Sequence, residues 1–264
     1  MNQNITALIT GATSGFGKAI AIKLASDFHW DLVITGRRRE RLDGLASFLE
    51  ESTGVKVYPL CFDVRDKAAV KSAISGLTDL RYPIEVLVNN AGLASGLGSI
   101  DEGDTDDWDL MVDTNVKGLL YVTREVVPLL KKRARGHIIN IGSTAAKTVY
   151  KNGNVYCATK AAVDSLSQAM RIDLLPYGIK VTAIHPGAAE TEFSVVRFHG
   201  DEERARKVYE GFKPLAAEDV ANVVGYALSL PPHVCINDLT MTTLTQANGV
   251  YNIKEEERIK VVTD

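Results

Sequence analysis

Short apolar runs recur along the chain and alternate with longer stretches of helical periodicity. Each run has the length of one buried strand, and the stretches between them are long enough to return the chain through a helix. The pattern predicts seven strands, near residues 6–10, 31–35, 55–60, 84–88, 136–142, 178–184 and 238–243. Strands joined by helices require right-handed crossovers and one parallel sheet covered on both faces. The predicted fold class is therefore α/β, a doubly wound Rossmann-type sheet with ligands at the carboxyl ends of its strands.

Nothing in the composition divides this pattern. No Pro-, Gly- or Ser-rich linker and no internal repeat interrupts it, so residues 1–264 are expected to form a single domain. Hydrophobic residues make up 45% of the chain, which suits one large core. Pro128 lies late in a helical stretch and is expected to kink or end it. The charged tail at 254–260 is expected to be exposed or to form an oligomer arm.

Charge and cysteine usage exclude several classes of protein. The formal net charge is −3 and the Lys/Arg runs are short, so no nucleic-acid partner is expected. The three cysteines show neither disulfide nor metal spacing, which favours a reducing, cytoplasmic setting without a metal. The first residues predict no signal segment, and no apolar run reaches the ~18 residues of a membrane span. A cytoplasmic protein without a membrane partner is expected.

The first strand leads into a glycine-rich turn and then into a helical pattern. Glycines at such a turn let the backbone approach a pyrophosphate, which the amides of the helix N-terminus can bind. A turn without ligand remains the alternative. The candidate cofactor residues here are Gly11, Thr13, Ser14, Gly15, Phe16 and Gly17.

The end of the second predicted strand indicates which dinucleotide would bind. An acidic residue at this place would bind the ribose 2′-hydroxyl of NAD, but the chain has Gly36 followed by Arg37 and Arg38. Guanidinium groups can pair with a 2′-phosphate or stack on adenine. NADP is therefore predicted over NAD, although such a charge run is also typical of a solvated helix start.

Tyr156 and Lys160 lie four residues apart at the start of a predicted helix. They would share one helix face, where the ammonium can make the phenol easier to ionise. A unit charge at ~4 Å and a dielectric of ~20 gives ~4 kcal/mol as an upper figure, or ~3 pKa units. A tyrosine tuned in this way can exchange a proton near neutral pH. Taken alone, the pair is typical of an ordinary exposed helix, so its context decides.

That context is a series of signatures that occur in order over roughly residues 5–245. Together they resemble the short-chain dehydrogenase/reductase family. The residues that carry the resemblance are Thr10-Gly11-x-x-x-Gly15-x-Gly17, Asn89-Asn90-Ala91-Gly92, Asn115, Ser143, Tyr156-x-x-x-Lys160 and Pro186-Gly187.

The resemblance implies a set of catalytic residues and no metal, since the cofactor supplies the hydride. Tyr156 would be the general acid in carbonyl reduction, and Ser143 would bind the substrate oxygen. Lys160 would tune Tyr156 and bind the nicotinamide ribose. Asn115 would hold a water that links Lys160 to solvent, or it would merely satisfy buried backbone groups.

The resemblance also implies further cofactor contacts. Asp63 and Val64 would contact adenine, although Asp63 could equally cap a helix. The adenosine ribose would lie against Asn89, Ala91 and Gly92. The nicotinamide would lie against Pro186, Gly187 and Thr191, although Pro-Gly is also an ordinary turn signal.

Local strings are similar to one branch, the NADP-dependent 3-hydroxy acid dehydrogenases. Examples are Gly153-Asn154-Val155-Tyr156 and Thr191-Glu192-Phe193-Ser194. The likeness implies serine, allo-threonine, 3-hydroxy acids or malonic semialdehyde as small-molecule substrates. Arg197 is the candidate carboxylate clamp, with a surface or interface arginine as the alternative. His185, Lys147 and Asn152 border the expected site and could alter specificity.

Two other functions are compatible with the same fold, and an oligomer is expected. A broad carbonyl or 3-oxoacyl thioester reductase would use the same catalytic residues. A dinucleotide sensor without chemistry would show a broken catalytic set, whereas this set is intact. A homotetramer is expected, because members of the family commonly assemble through their long central helices, here 105–131 and 155–176, and the C-terminal strand region.

Overall fold

Seven parallel strands run through the centre of the computed structural model, which describes residues 5–258. In spatial order the sheet reads β3-β2-β1-β4-β5-β6-β7. The predicted α/β fold and doubly wound parallel sheet are confirmed. The strands are β1 (Thr6–Ile9), β2 (Asp31–Gly36), β3 (Val57–Cys61), β4 (Ile84–Asn89), β5 (Gly136–Ile141), β6 (Ile179–Pro186) and β7 (Asp238–Met241).

Helices connect the strands and cover both faces of the sheet. They are α1 (Gly15–Phe28), α2 (Arg39–Thr53), α3 (Lys67–Ser75), α4 (Thr105–Val112), α5 (Leu119–Lys131), α6 (Asn154–Leu174), α7 (Phe193–Arg197), α8 (Glu202–Lys207) and α9 (Ala217–Ser229). Short 3-10 turns lie at Thr144–Ala146, Leu175–Tyr177 and Glu255–Glu257.

The predicted helix over 105–131 is interrupted. A π-helical turn at Asp113–Gly118 separates α4 from α5. A Cβ atom on Gly118 would lie 2.7 Å from Cγ2 of Val64, so the chain passes very close to the loop after β3. Pro128 lies inside α5, which continues for three more residues and ends at Lys131.

The two faces of the sheet carry separate apolar cores. Neighbouring residues on a strand point to opposite faces, and Leu8 and Ile9 of β1 accordingly enter different cores. Ile9 packs with residues of α1, α2 and α9, such as Leu24. Leu8 packs with residues of α3, α5 and α6, such as Val126 and Val163. Burying each such side chain stabilises the fold by about 1.5–3 kcal/mol.

The chain changes direction across the sheet between β1 and β4. β2 and β3 lie on one side of β1, and β4 to β7 follow on the other. The loops after β1 and β4 therefore diverge and leave a crevice at the carboxyl edge, the usual ligand position in such sheets. None of the helices described between residues 5 and 258 combines the length and the hydrophobicity of a membrane span.

Candidate active site

The crevice at the carboxyl edge holds a cavity of about 530 Å³. Small-molecule sites commonly have volumes of ~300–1,000 Å³. The cavity brings together residues far apart in sequence. Its lining includes the predicted Gly11, Thr13, Ser14, Gly15, Phe16, Arg37, Arg38, Asp63, Val64, Ala91, Gly92, Ser143, Tyr156, Lys160, Pro186, Gly187, Thr191 and Arg197.

The glycine-rich turn has the backbone that its sequence predicts. Gly11 and Gly15 have φ angles of 68° and 51°, in the left-handed region that favours glycine. Gly17 does not line the cavity. A Cβ atom on Gly17 would lie 2.4 Å from the carbonyl oxygen of Gly11, so this glycine lets α1 pack against the turn. The N-terminus of α1, with its partial positive charge, therefore begins beside the cavity.

The end of β2 presents arginines next to this turn. Arg38 donates hydrogen bonds to the hydroxyl oxygens of Thr13 and Ser14, at 2.8 and 2.9 Å from Nη2. Arg37 lies 3.8 Å from Asp63. Ser14 makes no capping hydrogen bond to α1. A cationic group beside a glycine turn at a helix N-terminus fits a dinucleotide that carries an additional phosphate.

Asn89 does not line the cavity, although the family resemblance implies a contact with the ribose. Its side chain is buried below the carboxyl ends of the strands and donates to Thr123 Oγ1 and Asn140 Oδ1, both at 2.9 Å. The next residue, Asn90, faces the cavity and donates to the carbonyl oxygens of Thr10 and Gly11. Because side chains alternate along a strand, a shift of one residue exchanges the core and the cavity.

Ser143 and Tyr156 meet where β5 and α6 approach each other. Ser143 follows β5 and its Oγ accepts a hydrogen bond from the amide of Ala145. Tyr156 lies in the first turn of α6, with 8% of its surface exposed, and its ring contacts the edge of Phe193. Burial raises the pKa of the Tyr156 phenol, and the adjacent Ser143 hydroxyl lowers it in part. The phenol is therefore protonated at neutral pH.

Burial acts against the expected tuning of Tyr156 by Lys160. Lys160 is buried, and its ammonium donates to the carbonyl oxygen of Ile141 at 3.0 Å. Its Nζ is 5.9 Å from the centre of the Tyr156 ring. Burial lowers the pKa of Lys160 to about 8, while the Tyr156 pKa rises. The sequence shows the helical spacing of the pair but not the depth to which both are buried.

Asn115 lies in the π-helical turn and does not line the cavity. Its side chain accepts from the amide of Leu93 and donates to the Leu93 carbonyl, both at 2.8 Å. It also donates to Thr159 Oγ1 at 3.0 Å. These are the contacts of the structural alternative, in which the asparagine satisfies buried backbone groups.

Arg197 lies in the cavity beside Tyr156. The carbon of its guanidinium group is 5.4 Å from the centres of both the Tyr156 and Tyr150 rings. It donates a hydrogen bond to the Tyr150 hydroxyl. Burial raises the pKa of Tyr150 although the arginine lowers it, so this hydroxyl stays neutral and can orient the cation. The site thus contains a half-buried cation next to the candidate acid.

A charged cluster supports Ser143 from behind. His185 is fully buried, and its Nδ1 lies 3.4 Å from the Ser143 amide. Its Nε2 lies 3.0 Å from Asp238, and the ammonium of Lys147 lies 2.8 Å from both Asp164 and Asp238. His185 and the two carboxylates could together hold a metal ion, but Lys147 already supplies the positive charge. His185 and Lys147 do not line the cavity. They lie behind Ser143, which does.

The cavity residues that sequence reasoning missed include Asn90, Tyr150 and Glu192. Asn90 stands in a quoted motif and could have been found from strand alternation. Tyr150 and Glu192 meet their arginine partners only through the fold, since Glu192 and Arg38 are 154 residues apart. No local pattern signals such a contact.

Comparisons with known proteins agree with this geometry. A family model described as short chain dehydrogenase matches residues 5–201. An NADP-dependent 3-hydroxy acid dehydrogenase, YdfG, from Salmonella typhi is 46% identical over 91% of this chain and 95% of its own length. A serine 3-dehydrogenase from Rhizobium radiobacter is 42% identical over 95% of this chain and 98% of its own. The closed form of a serine dehydrogenase complexed with NADP+ superposes with a TM-score of 0.86, at 43% identity, over 94% of this chain and 99% of that one.

Proposed function

Because the chain belongs to the short-chain dehydrogenase family, we propose that it is an NADP-dependent oxidoreductase that acts on CH–OH groups of small hydroxy acids. The hydride would move between nicotinamide and the carbon that carries the 3-hydroxyl or 3-oxo group. Serine, allo-threonine, 3-hydroxy acids and malonic semialdehyde are the substrate candidates. The names of the relatives at 41–46% identity support this choice.

One observation carries the substrate class. The Arg197 guanidinium lies 5.4 Å from the Tyr156 ring, inside the same cavity. A substrate with a carboxylate close to its reacting carbon can therefore contact the cation and the phenol together. Guanidinium groups bind carboxylates through paired, charge-assisted hydrogen bonds. A small 3-hydroxy acid has this distribution of charge.

The side chains have distinct proposed roles in carbonyl reduction. When bound, NADPH supplies the hydride. Tyr156, held protonated by burial, donates its proton to the carbonyl oxygen as charge develops there. The Ser143 hydroxyl donates a hydrogen bond to the same oxygen. Lys160 supplies positive charge beside the ribose, and Arg197 orients the carboxylate.

The mechanism is tested by Tyr156→Phe, which removes the hydroxyl with its transferable proton and keeps the aromatic ring. Turnover should fall by about 10²–10⁴-fold, the usual contribution of a positioned acid. The dissociation constant for NADPH, measured by fluorescence titration, should stay within a factor of about two. Near-normal turnover would exclude Tyr156 as the acid, and lost NADPH binding would show that the substitution damages the site as a whole.

The assembly and location are proposed separately from the chemistry. We propose a homotetramer that acts in the cytoplasm. Light scattering should give about four times the chain mass of 28.7 kDa. A mass of one chain would contradict the tetramer without affecting the chemistry.

A further inference from the structure

The carboxylate of Glu192 crosses the cavity mouth to two arginines at the start of α2. Its oxygens lie 2.8 Å from Arg38 Nη1 and 2.6 Å from Arg41 Nη1. Partial burial raises the pKa of this carboxyl, but the hydrogen bonds from the arginines outweigh it and hold the pKa at about 2. Glu192 is therefore an anion at every pH at which the protein would be studied.

This anion occupies the arginine that the proposed cofactor needs. Arg38 donates from Nε to Thr13 and from Nη2 to Thr13 and Ser14, all in the glycine-rich turn. It donates from Nη1 to Glu192. All three guanidinium nitrogens of Arg38 thus have a partner. Four of the five N–H donors of the guanidinium are engaged. A 2′-phosphate that binds Arg38 through two hydrogen bonds must therefore take over at least one donor already in use, and it would meet a like charge beside it. Like charges at close range oppose binding.

The ion pair also joins two walls of the cavity. Glu192 lies between Thr191 and Phe193, which line the cavity towards Tyr156, while Arg38 lies on the glycine-turn side. The walls are close beside the bridge, since a Cβ atom on Gly15 would lie 3.4 Å from Thr191 Cβ. Releasing Glu192 from Arg38 therefore removes a tie between the cofactor side and the segment that begins α7.

We propose that the carboxylate of Glu192 competes with the 2′-phosphate of NADP for Arg38 and thereby sets how strongly the protein prefers NADP to NAD. NADP displaces the carboxylate, whereas NAD, which lacks the phosphate, does not compete with it. The inference rests on the assignment of Arg38 to the 2′-phosphate, which is part of the proposed function. It does not depend on the identity of the substrate.

The test replaces the carboxylate by a neutral side chain of the same shape, Glu192→Gln. Dissociation constants for NADPH and NADH are measured by fluorescence titration, without substrate. Two exposed ion pairs together correspond to a factor of about three to ten, so NADPH should bind about three- to tenfold more tightly and NADH should change less than about twofold. Calorimetry with 2′,5′-ADP and 5′-AMP should give the same contrast between phosphorylated and unphosphorylated ligands.

Two further variants separate the causes. Glu190→Gln removes an exposed carboxylate two residues away and should change neither affinity. Arg38→Gln tests the premise, because it should reduce the preference for NADPH over NADH. If that preference survives, the assignment of Arg38 to the phosphate is wrong, independently of Glu192.

The result for Glu192→Gln decides the inference itself. Unchanged NADPH affinity would make the carboxylate a surface ion pair without a role in cofactor choice. Weaker NADPH binding would mean that Glu192 orients Arg38 for the phosphate. An equal gain for NADPH and NADH would place the effect on cavity opening. Each of these three results overturns the competition with the 2′-phosphate.

Discussion

Arg197→Met tests the proposed carboxylate clamp most specifically. Methionine keeps a long apolar side chain, while the charge and the donors disappear. Charge-assisted hydrogen bonds contribute about 1.5–3 kcal/mol, so kcat/KM for a carboxylate substrate should fall about 10- to 150-fold. Because the wild-type guanidinium is half-buried and held by Tyr150, little of its interaction with a carboxylate should be lost to solvent.

The same substitution has a second, smaller effect that the assay must separate. Arg197 lowers the pKa of Tyr156, so its loss reduces the acidity of the phenol for every substrate. The assay therefore compares oxidation of 3-hydroxypropionate with that of 3-hydroxypropionamide, its neutral isostere, at saturating NADP. The amide reports the effect on Tyr156, and the ratio of the two kcat/KM values isolates the carboxylate contact.

Matched variants complete this experiment. Arg197→Lys keeps the charge without the planar fork and should give an intermediate loss for the acid. Arg204→Met removes another arginine that lies over an aromatic ring, that of Phe198, and should leave the ratio unchanged. Equal losses of kcat/KM for the acid and the amide in Arg197→Met would refute the clamp, as would an equal effect of Arg204→Met.

Three further predictions concern the cofactor, the pH profile and stability. Gly36→Asp should shift the ratio of affinities from NADP towards NAD in binding titrations. A small loss of affinity common to both cofactors is also expected, because a Cβ there lies 2.7 Å from the Thr13 methyl. An unchanged ratio would contradict the cofactor assignment. The kcat/KM for reduction should fall above about pH 8, where buried Lys160 loses its charge. In Lys160→Arg the residual rate should not show this fall, because arginine keeps its charge. A fall at the same pH in the variant would mean that another group causes it. Lys147→Met should lower Tm by about 2–4 °C, because the ammonium bridges two carboxylates beside His185. This shift corresponds to a loss of about 1 kcal/mol in the free energy of unfolding. An unchanged Tm in thermal denaturation would show that the cluster contributes nothing to stability.

Local patterns were enough to predict the sheet and much of the cavity. The alternation of apolar runs and helical stretches predicts all seven strands, β1 to β7, at their places along the chain. The glycine turn was also predictable, since the positive φ angles of Gly11 and Gly15 are a local requirement. Parallel strands then bring the ends of β1, β2, β5 and β6 to one edge.

The remaining features depend on burial and on contacts distant in sequence. Asn89 and Asn90 exchange places through one step of strand alternation, which a motif does not resolve. The pKa of Tyr156 depends on how much water burial excludes, and this outweighs the spacing to Lys160. Glu192 meets Arg38 only after two distant segments have folded against each other.

Turnover across a small panel of substrates distinguishes small hydroxy acids from the other substrate classes. The panel contains malonic semialdehyde, L-serine, L-allo-threonine, 3-hydroxypropionate, an acetoacetyl thioester and a bulky aldehyde, each assayed with NADPH or NADP. The proposed function predicts the highest kcat/KM for malonic semialdehyde and the small hydroxy acids. Turnover of only the thioester or the bulky aldehyde would contradict it and would identify a broad carbonyl or 3-oxoacyl reductase on the same fold.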